Sequence, residues 1–290
     1  MLWILSLFFF AGDISFIIRP QDVFQDWIVC SNTINVSYEL NPPKIVKGER
    51  FDLGQLKGSI EEMTNRALQL RGLVNKIHFT DSVLGIPRLS SVTAARYIKE
   101  HIDAKEVRLG CSIRVRDRNF PSLCQAVSDA ILVGADSVLI LMGDEPVEKL
   151  GDSGLRPSAA VRMLKKEGYD LNIKLDLSFP ARVKDKSAQS IKNKLEVSPH
   201  SLVSQSISSL SDLGDIADLA KPYGIKVTAV VMVPSEKNRQ SASLIGLDWS
   251  EYESNPVDFI RDAAKMVDSV LLTSPNSFAS GLQLLRQLKQ

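Results

Sequence analysis

Residues Ile34 to Lys44 read INVSYELNPPK. An apolar, β-branched run leads to Glu39, and Asn41, Pro42 and Pro43 turn the chain almost at once. This stretch decides the fold. An open, doubly wound sheet usually carries a glycine-rich phosphate loop after its first strand. Here Asn-Pro-Pro stands in that place, and neither GxGxxG nor a P-loop occurs anywhere in the chain. A glutamate that closes a hydrophobic run is costly unless something uses it, so the same stretch also raises a functional question.

Outward from Ile34, short β-branched runs alternate with segments whose apolar residues recur at helical spacing. The predicted strands are Ile34–Tyr38, Lys76–Thr80, Val107–Ile113, Ser137–Met142, Ile173–Leu177, Ser201–Ser204, Lys226–Met232 and Ser269–Leu272. Ile60, Met63, Ala67, Leu68 and Leu70 mark one helix, and Ala126, Ala130, Ile131 and Val133 another. Ser211 to Ala220 and Phe278 to Leu288 close the series. Eight strand–helix units over roughly 250 residues have the size and rhythm of an α/β (βα)8 TIM barrel. The expected organisation is a single barrel domain over residues 34–290, with an N-terminal extension over 1–33.

That extension begins MLWILSLFFFAGDISFIIRP. Asp13 interrupts it and no Lys or Arg precedes Asp13, so it fits neither a signal peptide nor a membrane span of about twenty apolar residues. A packed arm, or upstream sequence brought in by a wrong start codon, is the expectation; a membrane anchor is the alternative. Because the barrel pattern begins at Ile34, deletion up to Cys30 is expected to leave a folded protein.

The 290 residues are 44% hydrophobic and 24% charged, with a formal net charge of +1. Such a balance carries no electrostatic footprint for nucleic acid or an anionic membrane surface. Cys30, Cys111 and Cys124 form no CxxC pair, and His78, His101 and His200 are equally scattered. A disulfide framework and a metal site are therefore not expected, and a reduced, cytoplasmic setting is. Cys111 and His78, both on predicted strands, read as core residues.

Active sites of this fold lie at the C-terminal ends of the strands. Polar residues gather there: Glu39; Thr80 and Asp81; Arg114, Arg116 and Asp117; Asp144 in LILMGDEP; and Gln205 in SLVSQS. Each has a structural reading too. Glu39 could be a solvated carboxylate, Asp144 a turn cap, Gln205 a strand-end hydrogen-bonder, and Lys194 part of a solvated helix face with Lys184, Lys186 and Lys192.

The set resembles the methylenetetrahydrofolate reductase family. INVSYELNPPK is similar to that family's opening strand, whose SFEFFPP-like motif holds a catalytic glutamate. ADSVLILMGDEP resembles its fourth strand, which typically ends in LRGD. NKIHFTDS and NKLEVSPHSLVSQS resemble stretches that carry a threonine, a flavin-binding lysine and a folate-binding glutamine. The order is kept from Ile34 nearly to the C-terminus.

The resemblance implies FAD at the C-terminal face, with electrons passing from NADH, NADPH or a reducing partner protein to FAD and then to a folate or related pterin. Glu39 would be the general acid, and Asp144 the carboxylate beside flavin and pterin. Gln205 would bind the pterin. Thr80, Asp81, Arg108, Gly143, Phe179 and Lys194 would help hold the cofactor. Opening the substrate's methylene bridge to an iminium needs a proton on the departing nitrogen, which a buried carboxylic acid with a raised pKa can give. The cation then needs a fixed negative charge nearby. No nucleic acid or membrane partner is implied, and a homo-oligomer is left open.

The sequence departs from the family at several places. Arg108 stands for a histidine, Met142 for an arginine, Phe179 for a tyrosine and Ala181 for a glutamate. The segment after Pro234 lacks an expected aromatic, and Ser277 lies near an expected arginine. Adjacent strands are about 4.8 Å apart, so Arg108 is expected to supply the cation missing at Met142. The alternatives are a folate-binding homologue without flavin that works in a complex, and a flavin-linked barrel with another substrate.

Overall fold

The computed structural model describes residues 34–145 and 152–290. Eight parallel strands form a closed ring in chain order: β1 (Val36–Leu40), β2 (Lys76–Phe79), β3 (Arg108–Arg114), β4 (Ser137–Leu141), β5 (Lys174–Phe179), β6 (Ser201–Ser206), β7 (Lys226–Met232) and β8 (Ser269–Thr273). The ring shuts where Val36, Ser37 and Tyr38 pair with Val270, Leu271 and Leu272. The (βα)8 barrel predicted from the strand rhythm is the fold. The expectations for residues 1–33, including their dispensability, lie outside the described residues.

The helices are α1 (Leu53–Gln69), α2 (Ser91–Lys99), α3 (Phe120–Val133), α4 (Pro157–Lys166), α5 (Ala188–Leu195), α6 (Leu210–Ala220), α7 (Glu236–Leu244), α8 (Pro256–Met266) and α9 (Phe278–Leu288). Except at α4, a Ser, Asn or Asp side chain accepts a backbone N–H of the first turn, as Asp52 does from Gln55 and Ser90 from Thr93. Such caps stabilise a helix start by about 1 kcal/mol. They also explain why the loops leaving the strand ends are rich in small polar residues.

Alternation along each strand divides the core in two. Outward-facing residues such as Tyr38, Ile77, Phe79, Ile113, Ile140 and Phe179 are buried against the helices in one large cluster. Inside the ring, Leu139, Val203, Val230 and Leu271, joined by Leu141, form a second and separate apolar cluster. Elsewhere in the strands, buried and half-buried polar groups interact. Ser201 and Thr228 hydroxyls lie 3.1 Å apart, Thr228 and Ser269 2.8 Å, and Lys76 Nζ donates to Ser137 Oγ at 3.2 Å. His78 is buried and bonds Ser112 Oγ at 2.9 Å, and burial with nearby Lys76 lowers its pKa to about 3. Burial pushes the Cys111 thiol up to about 12. Both are core groups, as their strand positions predict.

Candidate functional site

The inner apolar cluster forms part of the lining of a cavity of about 580 Å3 that opens among the C-terminal ends of the strands. Its polar lining includes Glu39, Asn41, Thr80, Asp144, Gln205 and Thr273. A second cavity, of about 500 Å3, lies on the outer surface beside α3 and the turn Tyr169–Leu171. It collects no strand ends.

Glu39 reaches this cavity because its neighbours Tyr38 and Leu40 are buried in the outer cluster, and alternation turns the glutamate to the other face. Tyr38 is fixed edge-on to Phe278 of α9, with ring centroids 5.9 Å apart. Across the closing seam, Thr273 Oγ1 donates to Glu39 Oε1 at 2.7 Å. Burial holds the Glu39 carboxyl above the usual carboxylate range, and the Thr273 bond offsets part of that rise. Beside it, Thr80 Oγ1 donates to Asn41 Oδ1 at 2.8 Å. The end of β1 thus carries an acid in an environment that favours its protonated form.

Asp144 stands exposed at the cavity mouth, where its Oδ2 accepts the Leu84 N–H at 2.6 Å. Leu84 and Ser82 both hold left-handed backbone, with φ of 59° and 46°. For residues other than glycine this conformation costs about 1–3 kcal/mol each and persists only where surroundings enforce it. The enforcing contacts are Asp144 on Leu84 and Arg114 Nη1 on the Ser82 carbonyl, at 3.2 Å. Gly143 has φ of 80°, and a Cβ there would lie 2.8 Å from Arg114 Cβ. Arg114, almost fully buried at the end of β3, therefore packs directly beneath the turn that presents Asp144.

Gln205 is exposed in the cavity wall, at a register shift of β6 against β7 between Val203 and Ser206. Bulges of this kind re-aim side chains. Asp81 borders the cavity, but its Oδ2 accepts Arg114 N at 3.1 Å and Arg118 Nη1 at 2.8 Å, so it braces the loop.

Three expected cofactor contacts lie elsewhere. Arg108 is the first residue of β3, so it sits at the opposite end of the barrel, about 20 Å of strand from Arg114. There its guanidinium faces Asp136 at 3.9 Å, and it does not replace a cation at Met142. Arg116 is the guanidinium that bonds the Gly143 turn, its Nε donating to the Gly143 carbonyl at 3.1 Å, while Arg114 packs against the same turn. Phe179 is 1% exposed and belongs to the outer hydrophobic cluster, because alternation turns Ser178 to the cavity instead. Lys194 extends from α5 to the Ser178 carbonyl and does not line the cavity. Burial and nearby Lys186 lower its pKa to about 8.

The cavity also holds residues that the sequence did not single out, among them Asn41, Arg88, Arg182, Lys186 and Thr273. Thr273 is the polar residue that ends the apolar run SVLLT. Among the described residues, no group of three His, Cys, Asp or Glu side chains could hold a metal, and no helix is long and apolar enough to cross a membrane.

Fold and site together define a (βα)8 barrel with an acid-bearing pocket at the strand ends. No protein-family model matches the chain, and no curated protein is similar to it in sequence. Among solved structures, the chain is similar to one described as QR15, an aldolase. The two are 10% identical with a TM-score of 0.53, over 88% of this chain and 94% of that one. At that identity the likeness carries the barrel architecture alone.

Proposed function

We propose that this barrel is a flavin-dependent reductase of a folate-type one-carbon carrier, converting a methylene group to a methyl group. The observation that carries the reading is Glu39, an acid at the end of β1 that burial keeps above its usual range, in the same cavity as Asp144 and Gln205. The order of motifs from Ile34 onward supports the same assignment.

The residues present suit a flavin. Leu141, Val203, Met232 and Leu271 offer an apolar surface to a flat ring, and Arg182 and Lys186 in the lining offer cations to a diphosphate. FAD, when bound, supplies the hydride. The chain's own groups do the rest. Glu39 gives a proton to the nitrogen that departs when the methylene bridge opens. Asp144, in the same cavity lining, offers the negative charge that an iminium would need. Gln205 offers both a donor and an acceptor to a pterin edge.

The placement of Arg108, Phe179 and Lys194 away from the cavity favours a second reading, a folate-binding barrel that works without flavin. The visible spectrum of the purified chain separates the two. Flavin absorbance that bleaches with NADH or NADPH supports the reductase. A colourless protein that binds tetrahydrofolate and takes up no added FAD supports the second reading.

A further inference from the structure

A smaller cavity, of about 380 Å3, adjoins the main one, and Asn41, Arg88 and Pro275 line both. Its other walls come from the turn after β1 and from α1, and they bring Lys44, Lys47 and Arg66 to the same space as Arg88. Among the described residues, the only carboxylate in its lining, Glu62, is already paired with Arg66 one helical turn away. Lys44, Lys47 and Arg88 form no ion pair among the described residues. Three uncompensated cations around one cavity stand out in a chain whose formal net charge is only +1.

Arg88 is the informative member. Its Nη1 donates to the Pro42 carbonyl at 2.8 Å, while its Nε is buried and has no hydrogen-bond partner among the described residues. A buried donor on a charged group is costly when its hydrogen bond is left unmade. Backbone contacts fix the arginine in this position: Lys44 and Arg88 form an antiparallel bridge, flanked by Ile45 N to Pro87 O at 3.2 Å and Leu89 N to Pro43 O at 2.9 Å. The turn after β1 and the turn after β2 are therefore zipped together with a guanidinium between the two cavities. Asn41 contributes further, since its Oδ1 takes the Thr80 hydroxyl and leaves its NH2 group as a donor.

We infer that Arg88, Lys44 and Lys47 form an oxyanion subsite opening off the main pocket, which takes a phosphate or carboxylate arm of the ligand. A guanidinium with an unmade N–H and two flexible ammonium groups is a donor set for such an anion. The site does not depend on pterin recognition, because a diphosphate and a chain of γ-linked glutamates both present anionic oxygen acceptors.

The test is calorimetric titration of the full chain at low ionic strength with two probes, inorganic pyrophosphate and tri-γ-glutamate. Saturable binding of at least one probe is expected, weakened at least 10-fold by Arg88→Gln and by the double variant Lys44→Gln/Lys47→Gln. Stronger binding of pyrophosphate assigns the site to a phosphate-bearing ligand, and stronger binding of triglutamate to a polycarboxylate tail. The double variant changes side chains on the turn after β1 alone, so it keeps the test decisive if Arg88→Gln unfolds. Absence of binding by both probes, or equal affinity in wild type and the double variant, overturns the inference. Neither probe contains a pterin, so the folate reading can fail while this site stands.

Discussion

Thr273, the last residue of β8, and Glu39, near the end of β1, meet across the seam where the barrel closes, with Oγ1 to Oε1 at 2.7 Å. The two are 234 residues apart in sequence, so the hydrogen bond exists only once the ring is shut. It makes the protonation of the candidate acid a property of the closed fold.

Thr273→Val removes a bond that favours the ionised form of Glu39, so the pKa of this carboxyl rises further above its ordinary value. A general acid works while protonated, and its activity falls as pH rises through its pKa. Under the proposed function, the alkaline fall in folate reduction should therefore move to higher pH in the variant, with a loss of about 1 kcal/mol in stability. A pH–rate profile of the folate half-reaction reads this directly. A limb that stays in place or moves toward acid contradicts it.

Gly143→Ala meets two obstacles, a φ of 80° and a Cβ 2.8 Å from Arg114 Cβ. The expected cost is about 1–3 kcal/mol from each. Gly72 has a φ of 72° with open space around it, so Gly72→Ala should show the backbone cost alone. Urea midpoints at constant slope compare the two. Equal destabilisation would mean that Arg114 does not brace the turn carrying Asp144.

Asp176 is 3% exposed in β5, and its Oδ1 has no hydrogen-bond partner among the described residues. Burial, only partly offset by Lys76 and Ser137, pushes its pKa from 3.8 to about 6. A pKa raised in the folded state gives stability that is fully present below 3.8 and lost as pH rises through about 6. That interval corresponds to about 3 kcal/mol. Asp176→Asn should therefore flatten the stability–pH curve between pH 4 and 7 relative to wild type. Parallel curves for the two proteins would remove Asp176 as the source.

Most of the fold could be read from the chain because a parallel strand buried on both sides leaves a β-branched run bounded by turn residues. All eight predicted strands overlap the observed ones, and the end of β1 was located through Glu39 and the prolines that follow. The acids at the cavity were legible for the same reason, since polar residues just past a strand end have one place to go in this fold. Face and end were harder. Phe179 sits one residue from Ser178 on a strand whose side chains alternate, and Arg108 opens a strand that Arg114 closes. Resemblance transferred both without regard to direction. Lys194 has the sequence setting of a solvated lysine and the resemblance of a flavin-binding one, and only the tertiary fold brings it onto the Ser178 carbonyl. Arg88 had no local signal, because its setting is made by two turns more than forty residues apart.

Under the proposed function, Glu39 delivers the proton that opens the methylene bridge. Glu39→Gln keeps the shape and can still accept the Thr273 hydrogen bond, but it cannot act as an acid. Stopped-flow flavin absorbance on wild type and variant, with the two half-reactions followed separately, tests this most directly. Reduction of FAD by its donor should stay near the wild-type rate, while oxidation of reduced FAD by methylenetetrahydrofolate should slow by at least about 10²-fold. Equal folate-reduction rates in the two proteins would contradict the account.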